Sequence, residues 1–354
     1  MPMELTDLAE RAGEWLSGTG PESDIVISCR IRLARNLRGF TFLTRASDEE
    51  KKLLEQSISG RLAEIDFGKK TTYLPLHETD MLERLFLVER HLISKELAAA
   101  ESPRGVMLGD NESLAIMVNE EDHLRIQAMR SGLELSALWN EINGYDQAIE
   151  RKLDYAFSSQ FGYLTSCPTN VGTGMRVSVM MHLPVLVMTK QIEKVFQAMN
   201  KIGLAVRGLY GERTRGLGDF YQISNQVTLG KDEETIVHDL AEVIPKVMEY
   251  ERKWRESLLK ENRAQLEDAV YRAQGLLSAA RVISSEETMN LLSSIRMGVN
   301  LGLITGIPIA KVNELFIQTQ PAHLQIIEGR ALQPEERDQL RARFIRQRLD
   351  LKAD

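Results

Sequence analysis

The sequence predicts an α+β fold: mixed strands and helices up to about residue 254, then an all-helical region over 255–354. Three observations carry this. Runs with a period of two interleave with helix-period runs through the first two-thirds of the chain. After Trp254 the chain becomes rich in Glu, Arg, Leu and Ala, with no strand pattern. With 354 residues, 43% hydrophobic and 27% charged, it has material for a sizeable core in two or three units.

In chain order, residues 1–20 read as a short amphipathic helix closed by the turn cluster SGTGP. From Ile25 the run IVISCRIRLARNL alternates, which predicts a strand whose outward side carries Arg30 and Arg32. Residues 47–66 are helical in period, with Ser47 as N-cap ahead of Asp48, Glu49 and Glu50 at the positive helix end. Further strands are predicted at 113–119, 176–182, 204–209 and 220–228, and helices at about 125–143, 184–200 and 232–255. Beyond them the helical region is interrupted at TGIP and near Gln320-Pro321, and no fixed-period repeat is visible.

The formal net charge of -7 does not mark the molecule as a nucleic-acid or membrane-surface binder. Two cysteines, Cys29 and Cys167, are too few for a disulfide framework and are not spaced as a metal knuckle. The N-terminal stretch lacks the apolar core of a signal peptide, and MMHLPVLVM is too short to span a bilayer. A cytoplasmic protein with reduced thiols is expected.

Four segments carry candidate chemistry. SCRIR (28–32) puts two arginines on one side of a strand, which also suits a solvated face. NEEDHLRI (119–126) concentrates acidic groups, His123 and Arg125 at a strand end; a helix-capping turn explains it about as well as a catalytic one. SCPTNVGTGMRVSV (166–179) sets Cys167 before a glycine-rich turn and Arg176, and such turns present backbone N–H groups to phosphate. RGLYGERTRGLGDFYQISN (207–225) reads as a loop of the kind that covers ligands. Together they supply Arg30, Arg32, Arg125, Arg176 and Arg207 without matching local carboxylates, a set suited to the oxygens of a triphosphate. There is no Walker loop and no HRD or DFG arrangement, so an ATP site here would be built from arginines.

In order and spacing these segments resemble the nucleotide and guanidine sites of the phosphagen kinases, the ATP:guanido phosphotransferases such as arginine and creatine kinase. NEEDHLR and CPTNxGTxxR are long family-specific strings, and the likeness runs over about residues 24–254. The resemblance implies a catalytic domain there, built as a large antiparallel sheet flanked by helices, like that of glutamine synthetase. It implies that ATP is held by Ser28, Cys29, Arg30, Ile31 and Arg32, by His91 against the adenine, and by Arg125. Further ATP positions would be Arg176, Val177, Ser178, Val179 and Met180, then Arg207, Gly208, Leu209, Tyr210 and Gly211. Glu121 and Glu212 would clamp the acceptor guanidinium, with Cys167 beside it. Mg²⁺ would arrive with the nucleotide, since no dedicated metal cage is visible in the sequence.

Two features depart from the common family pattern. Its helical N-terminal domain, which helps enclose a small guanidino substrate, has only a short counterpart in residues 1–23. A helical domain is added over 255–354. Both are similar to the bacterial protein-arginine kinases, which mark proteins for Clp-protease degradation. In that branch RDQLRA (337–342) resembles the RDxxRA motif of a phosphoarginine pocket, which would assign a regulatory site to Arg337, Asp338 and Arg341. A solvated helix face with an Asp338–Arg341 pair at i, i+3 explains the same residues without a ligand. The expected partners are protein substrates, an activator protein and the Clp chaperone–protease, with no nucleic acid or membrane. Apolar faces on the helical appendix are compatible with a homodimer. Two other readings compete: a kinase of free arginine or another small guanidino compound, and a non-catalytic phosphoarginine-binding adaptor.

Overall fold

The alternating run after Ile25 becomes the central strand of the molecule. The computed structural model describes residues 5–208 and 216–349. Its strands are β1 (Val26–Arg35), β2 (Thr71–Pro75), β3 (Gly105–Gly109), β4 (Leu114–Val118), β5 (Leu124–Ser131), β6 (Phe157–Ser158), β7 (Gly162–Tyr163), β8 (Met175–His182), β9 (Leu204–Gly208) and β10 (Phe220–Asn225). Eight of them form one sheet in the order β2-β3-β4-β5-β1-β8-β10-β9, while β6 and β7 make a separate hairpin. Every pairing in the large sheet is antiparallel. In β1, Cys29, Ile31 and Leu33 are fully buried on one face while Arg30 and Arg32 are only partly covered on the other. Strand pleating turns that alternation into two chemically different faces.

The helices are α1 (Leu5–Ala9), α2 (Asp48–Ala63), α3 (Met81–Glu89), α4 (Lys95–Ala99), α5 (Leu135–Glu150), α6 (Pro184–Met188), α7 (Ile192–Lys201), α8 (Glu233–Glu261), α9 (Arg263–Ala279), α10 (Ser285–Asn300), α11 (Ile309–Gln318), α12 (Pro321–Glu328) and α13 (Pro334–Leu349). Ser47 does cap α2, in a full capping box with Glu50. Leu54, Ile58 and Leu62 of α2 join α5, α7 and α8 in the core behind the Cys29 face. The N-terminal segment, α3, α4 and the helices from α9 onward share a second core, which covers part of the opposite face through Ile27, Val106, Leu108 and Met129. The remainder of that face, where the arginines lie, is left for the site.

Several expectations are corrected. Residues 125–143 are not one helix: Leu124–Ser131 is a strand and the helix starts at Leu135. Leu124, Ile126 and Ala128 fill one core while Arg125 and Gln127 face the other way, so the local period is two. The helix-period residues after 135 had dominated the window. The described residues among 1–20 form α1 and a 3₁₀ turn at Glu14–Leu16, and 184–200 splits into α6 and α7. Strands β2 and β3 were not anticipated. The helix expected over about 232–255 runs from Glu233 to Glu261 as α8. Buried Glu251 bonds Arg255 at 2.9 Å and accepts the N–H groups of Val185 and Leu186 at 3.2 and 3.0 Å.

Candidate functional site

Neighbouring strands bring the arginines together. In register, Arg32 of β1 lies opposite Arg176 of β8 and Gln127 of β5, and Arg125 lies opposite Ala34, two residues along. Arg207 of β9 faces Gln222 of β10, and Arg30 donates to the Gln222 Oε1 at 2.6 Å. Among the described residues, Arg32 and Arg176 have no carboxylate within ion-pair distance. Burial and then the charges of Arg125 and Arg176 push Arg30 down to about 10. Burial, Arg30, Arg125 and Arg176 push Arg32 well down, and burial, Arg207 and Arg125 push Arg176 the same way. A guanidinium keeps its proton in a protein. These directions therefore register mutual repulsion and lost hydration, both of which a bound polyanion would relieve.

Arg125 is different, and corrects the expectation that all five arginines lack carboxylates. It bonds Glu120 at 2.6 Å and Glu121 at 3.3 Å. Glu120 is in turn held by the Ser94 hydroxyl at 2.7 Å, and it accepts the Glu121 N–H. Asp122 fastens the acidic turn to the cysteine loop, accepting from the Asn36 amide and the Ser166 N–H, both at 2.6 Å. His123 accepts the Leu37 N–H on Nδ1 at 3.0 Å, so its Nε2 carries the proton toward the Thr41 carbonyl at 3.1 Å. Burial lowers its pKa and favours that neutral ring. NEEDHLR is thus a built junction that leaves one carboxylate, Glu121, projecting.

Glu121 projects into a cavity of about 190 Å³ that it shares with Arg32, Arg125, Cys167, Asn170 and Arg176. Its side chain is 43% exposed. Burial, then Asp122, raise its pKa against the pull of Arg125, and it lies within hydrogen-bonding reach of the Cys167 thiol. Cys167 is half-buried, with Sγ 3.0 Å from the Thr169 hydroxyl. The loop following it needs its glycines. Gly172 has φ +113 and Gly174 has φ +61, and a Cβ on them would lie 2.2 Å from the Thr228 carbonyl and 2.6 Å from that of Ala34.

A second, narrower cavity lies farther along the same face, lined by Trp15, Ser28, Arg30, His91, Met180 and Gln222. His91 has φ +59 and stacks edge-on against Trp15 with ring centroids 5.5 Å apart. Burial and Arg30 push its pKa down to about 3, so the ring is neutral. The His91 carbonyl accepts from Gln127 at 2.8 Å. Trp15, Gln127 and Gln222 had no signal in the sequence, because each is brought to the site by tertiary structure alone.

Not every expected residue reaches these cavities. Cys29, Ile31, Val177 and Val179 are fully buried on the opposite face, so only their backbone can serve the site. Burial pushes the Cys29 thiol up to about 12. Ser28, Ser178 and Met180 do face the second cavity, and Gly208 ends β9 beside Arg207. Leu209, Tyr210, Gly211 and Glu212 lie outside the described residues.

The C-terminal trio is also rearranged from expectation. Arg341 is not half of an open fork: it is 1% exposed and donates to the carbonyls of Thr319 at 2.7 Å and Ile283 at 2.9 Å. It also pairs with Asp338, which is itself a third exposed, and Arg337 is half-buried nearby. Glu89, two residues from His91, accepts the N–H groups of Ala322 and His323 at 2.8 Å each, at the start of α12. Burial pushes Glu89 up to about 7 against those bonds and the charges of Arg341 and Arg337. Among the described residues no group of three or more His, Cys, Asp or Glu could hold a metal, and no helix is long and apolar enough to cross a membrane.

Comparison with known proteins agrees with this geometry. Residues 53–254 match the family model of the ATP:guanido phosphotransferase C-terminal catalytic domain. Residues 263–354 match that of the protein-arginine kinase McsB C-terminal domain. The chain is 48% identical over 347 residues to a protein-arginine kinase of Bacillus subtilis, covering 97% of this chain and 95% of that one. It is 48% identical over 345 residues to that of Halalkalibacterium halodurans, covering 97% of both. Among solved structures, a duplicated taurocyamine kinase of Schistosoma mansoni with bound transition-state-analogue components superposes with TM-score 0.61 and 32% identity. That match covers 72% of this chain and 36% of the taurocyamine kinase, so the present chain spans about a third of that protein's length. Lombricine kinase superposes with TM-score 0.59 and 27% identity, over 73% and 72% of the two chains.

Proposed function

The chain belongs to the ATP:guanido phosphotransferase family, in the branch of the protein-arginine kinases, and from that premise we propose that it transfers the γ-phosphoryl group of ATP to arginine side chains of proteins. The observation that carries this reading is the shared cavity in which Glu121 and Cys167 stand beside Arg32, Arg125 and Arg176. A carboxylate and a thiol suit a guanidinium acceptor. The guanidinium cluster suits the oxygens of the donor.

In this reading Arg30, Arg32, Arg125, Arg176 and Arg207 hold the phosphates, with His91 and Trp15 at the base end. Charge decides the fit, since the described arginines of the cavity outnumber its carboxylates and favour a polyanion. Mg²⁺ bound with the nucleotide would supply further neutralisation of the transferring group. A guanidinium is a poor nucleophile, because it is protonated and delocalised. Glu121 fixes one of its edges, orients a nitrogen toward the γ-phosphorus and accepts the proton that leaves. The new bond is N–P, and the bond that breaks joins the γ-phosphorus to the bridging oxygen of ADP. Glu212 is assigned the second carboxylate of the clamp from the family resemblance, and Cys167 the group beside it.

The regulatory site at Arg337 and Asp338 is retained as part of the proposal, with Arg341 behind them holding Asp338 in place. Marking of the modified proteins for Clp-protease degradation, with an activator and a homodimeric assembly, completes the reading and rests on the resemblance. The deciding experiment incubates the protein with ATP and a protein substrate, then tests the label in acid. An N–P bond on arginine is lost, whereas phosphoserine survives. An acid-stable label, or a kcat/KM for free arginine at or above that for protein, would overturn the assignment.

A further inference from the structure

Helix α3 ends in a closed cap with a histidine at the position where glycine is the usual residue. The Leu92 N–H bonds the Leu87 carbonyl at 3.0 Å and the His91 N–H bonds that of Val88 at 2.9 Å, the paired bonds of a Schellman cap. The residue just past the end of such a helix takes a left-handed backbone, and His91 does so at φ +59. With a Cβ that conformation is costly, and it persists where the surroundings over-determine it. A ring kept at such a position, lining the second cavity beside Arg30, has a task beyond ending a helix.

Two side chains from distant parts of the chain hold it. Gln127 of β5, 2% exposed, donates from Nε2 to the His91 carbonyl at 2.8 Å. Strand pleating puts Gln127 on the same face as Arg125, and in register it lies opposite Arg32. A carboxylate in its place would pair with those arginines and could not donate to a carbonyl, while a further cation would add to their repulsion. An amide holds the carbonyl and leaves the arginines their charge. Trp15, 3% exposed, meets the His91 ring edge-on at 5.5 Å between centroids. It is fixed on both sides: the Glu14 N–H bonds the Asn111 carbonyl at 3.1 Å, and the Asn313 amide bonds the Leu16 carbonyl at 3.2 Å. Arg90, next to His91, ties the two segments together by donating to the Arg11 carbonyl at 2.9 Å.

We infer that Gln127 and Trp15 are positioning residues for the base of the nucleotide. They act through His91, one on its backbone and one on its ring, and set affinity for the base while the arginines set affinity for the phosphates. The inference rests on the reading above that ATP is bound on this face. Met129 and Met180 line the same cavity, and their polarisable thioethers beside a flat ring suit a planar aromatic base.

Calorimetry on the full chain, titrating ADP or pyrophosphate with Mg²⁺ present, provides the test, because the two ligands share the phosphates and differ in the nucleoside. Gln127→Met removes the donor at nearly constant volume. It should weaken ADP binding about tenfold, the scale of one hydrogen bond, and leave pyrophosphate within about twofold. Trp15→Leu should do the same, and Trp15→Phe, which keeps an aromatic edge, should recover most of the loss. In a His91→Gly background the ring is absent and the left-handed backbone is unstrained, so Gln127→Met should cost nothing more. Equal weakening of both ligands would make the two residues structural only and overturn the inference. Unchanged ADP affinity in Gln127→Met, or the same loss repeated without the ring, would also overturn it. Should either Gln127→Met or Trp15→Leu fail to fold by circular dichroism, the other decides. Wild-type protein that binds neither ligand, or binds ADP no tighter than pyrophosphate, would bring down the nucleotide reading itself, and the inference with it.

Discussion

The arginines of the sheet face are partly covered or exposed and those at the junctions between elements are fully buried, and the two groups do opposite things. Arg35 is 1% exposed and fully occupied: it bonds Asp146 at 2.7 Å and the carbonyls of Ala34 and Thr173 at 2.9 Å, and lies 3.5 Å over the Tyr163 ring. Arg296 reaches from α10 to the carbonyls of Asp24 and Ser23, the Asn313 amide oxygen and His182. Arg341 and Arg90 are likewise consumed by their surroundings. Arg32 and Arg176, by contrast, face one another and a cavity they share with Glu121, with no carboxylate of the described residues within ion-pair distance. Burying a charge without a partner is costly, and folds accept it where a ligand supplies the partner. Satisfaction goes together with full burial in the arginines that hold the structure, and both are lower in those available for chemistry.

The sharpest way to break this comparison is to remove one arginine of each kind. Arg32→Met should lower kcat/KM for ATP by ~10³-fold or more, the scale of an arginine on a transferring phosphoryl group. Its melting temperature should stay unchanged or rise, because a repelled, partly buried charge is gone. Arg35→Met should instead cost ~3–5 kcal/mol of stability by stranding Asp146, and whatever remains folded should turn over normally. If urea melts and steady-state kinetics gave the reverse pattern, satisfaction would not be the distinguishing property.

Smaller effects are expected from the groups that face the acceptor. Glu121→Gln keeps the shape but loses the charge that orients and deprotonates the guanidinium, so kcat should fall ~10²-fold with the KM for ATP unchanged. Near-normal turnover would remove Glu121 from the mechanism. Cys167→Ser should cost less, about tenfold in kcat, as an assisting group beside the carboxylate. Alkylation counted by mass spectrometry should modify Cys167 and spare fully buried Cys29 in the native protein. Protection of Cys167 by bound substrates would place it at the acceptor, and no protection would make it structural.

The smallest effect should come from Glu89, at the seam between α3 and α12. Its folded pKa of about 7 lies above the ordinary 4.5. Between those values the folded state holds the extra proton, so this contribution is complete below about pH 4.5 and is lost as pH rises through about 7. It amounts to on the order of 1–3 kcal/mol, a shift in Tm of a few degrees for a chain this long. Thermal melts of wild type and Glu89→Gln between pH 5 and 8 should therefore diverge in slope, the wild type falling more steeply. Parallel curves would mean that its bonds to the N–H groups of Ala322 and His323 already offset the burial.

Legibility in the sequence followed how local each determinant is. Strand β1 could be read because Cys29, Ile31 and Leu33 alternate with Arg30 and Arg32 within a few residues. The capping box of Ser47 and Glu50 spans three. Arg125 was singled out while its element was misread, since the window that decided its period borrowed residues from α5. Trp15, Gln127 and Gln222 were missed entirely, and Cys29 was assigned to a site whose other side it faces.

What the sequence determined by itself was the family, the antiparallel sheet with its helical appendix, and the set of charged side chains at hand. The antiparallel sheet followed from the family resemblance of the motif strings, while the strands and the helical appendix followed from periods of two and 3.6, which are properties of the chain before it packs. Only the tertiary structure decided which charges were spent. RDQLRA reads as a matched pair of arginines on one helix face, yet Arg341 turns inward because Thr319 and Ile283 offer it unpaired carbonyls. Glu121 still projects into the cavity, with Arg125 bonding it at only 3.3 Å, because Glu120 and Asp122, its neighbours on either side, are taken by Arg125 and Ser94, and by Asn36 and Ser166. Hydrogen-bond partners for a buried group come from distant segments, and buried polar groups must find them or pay in stability.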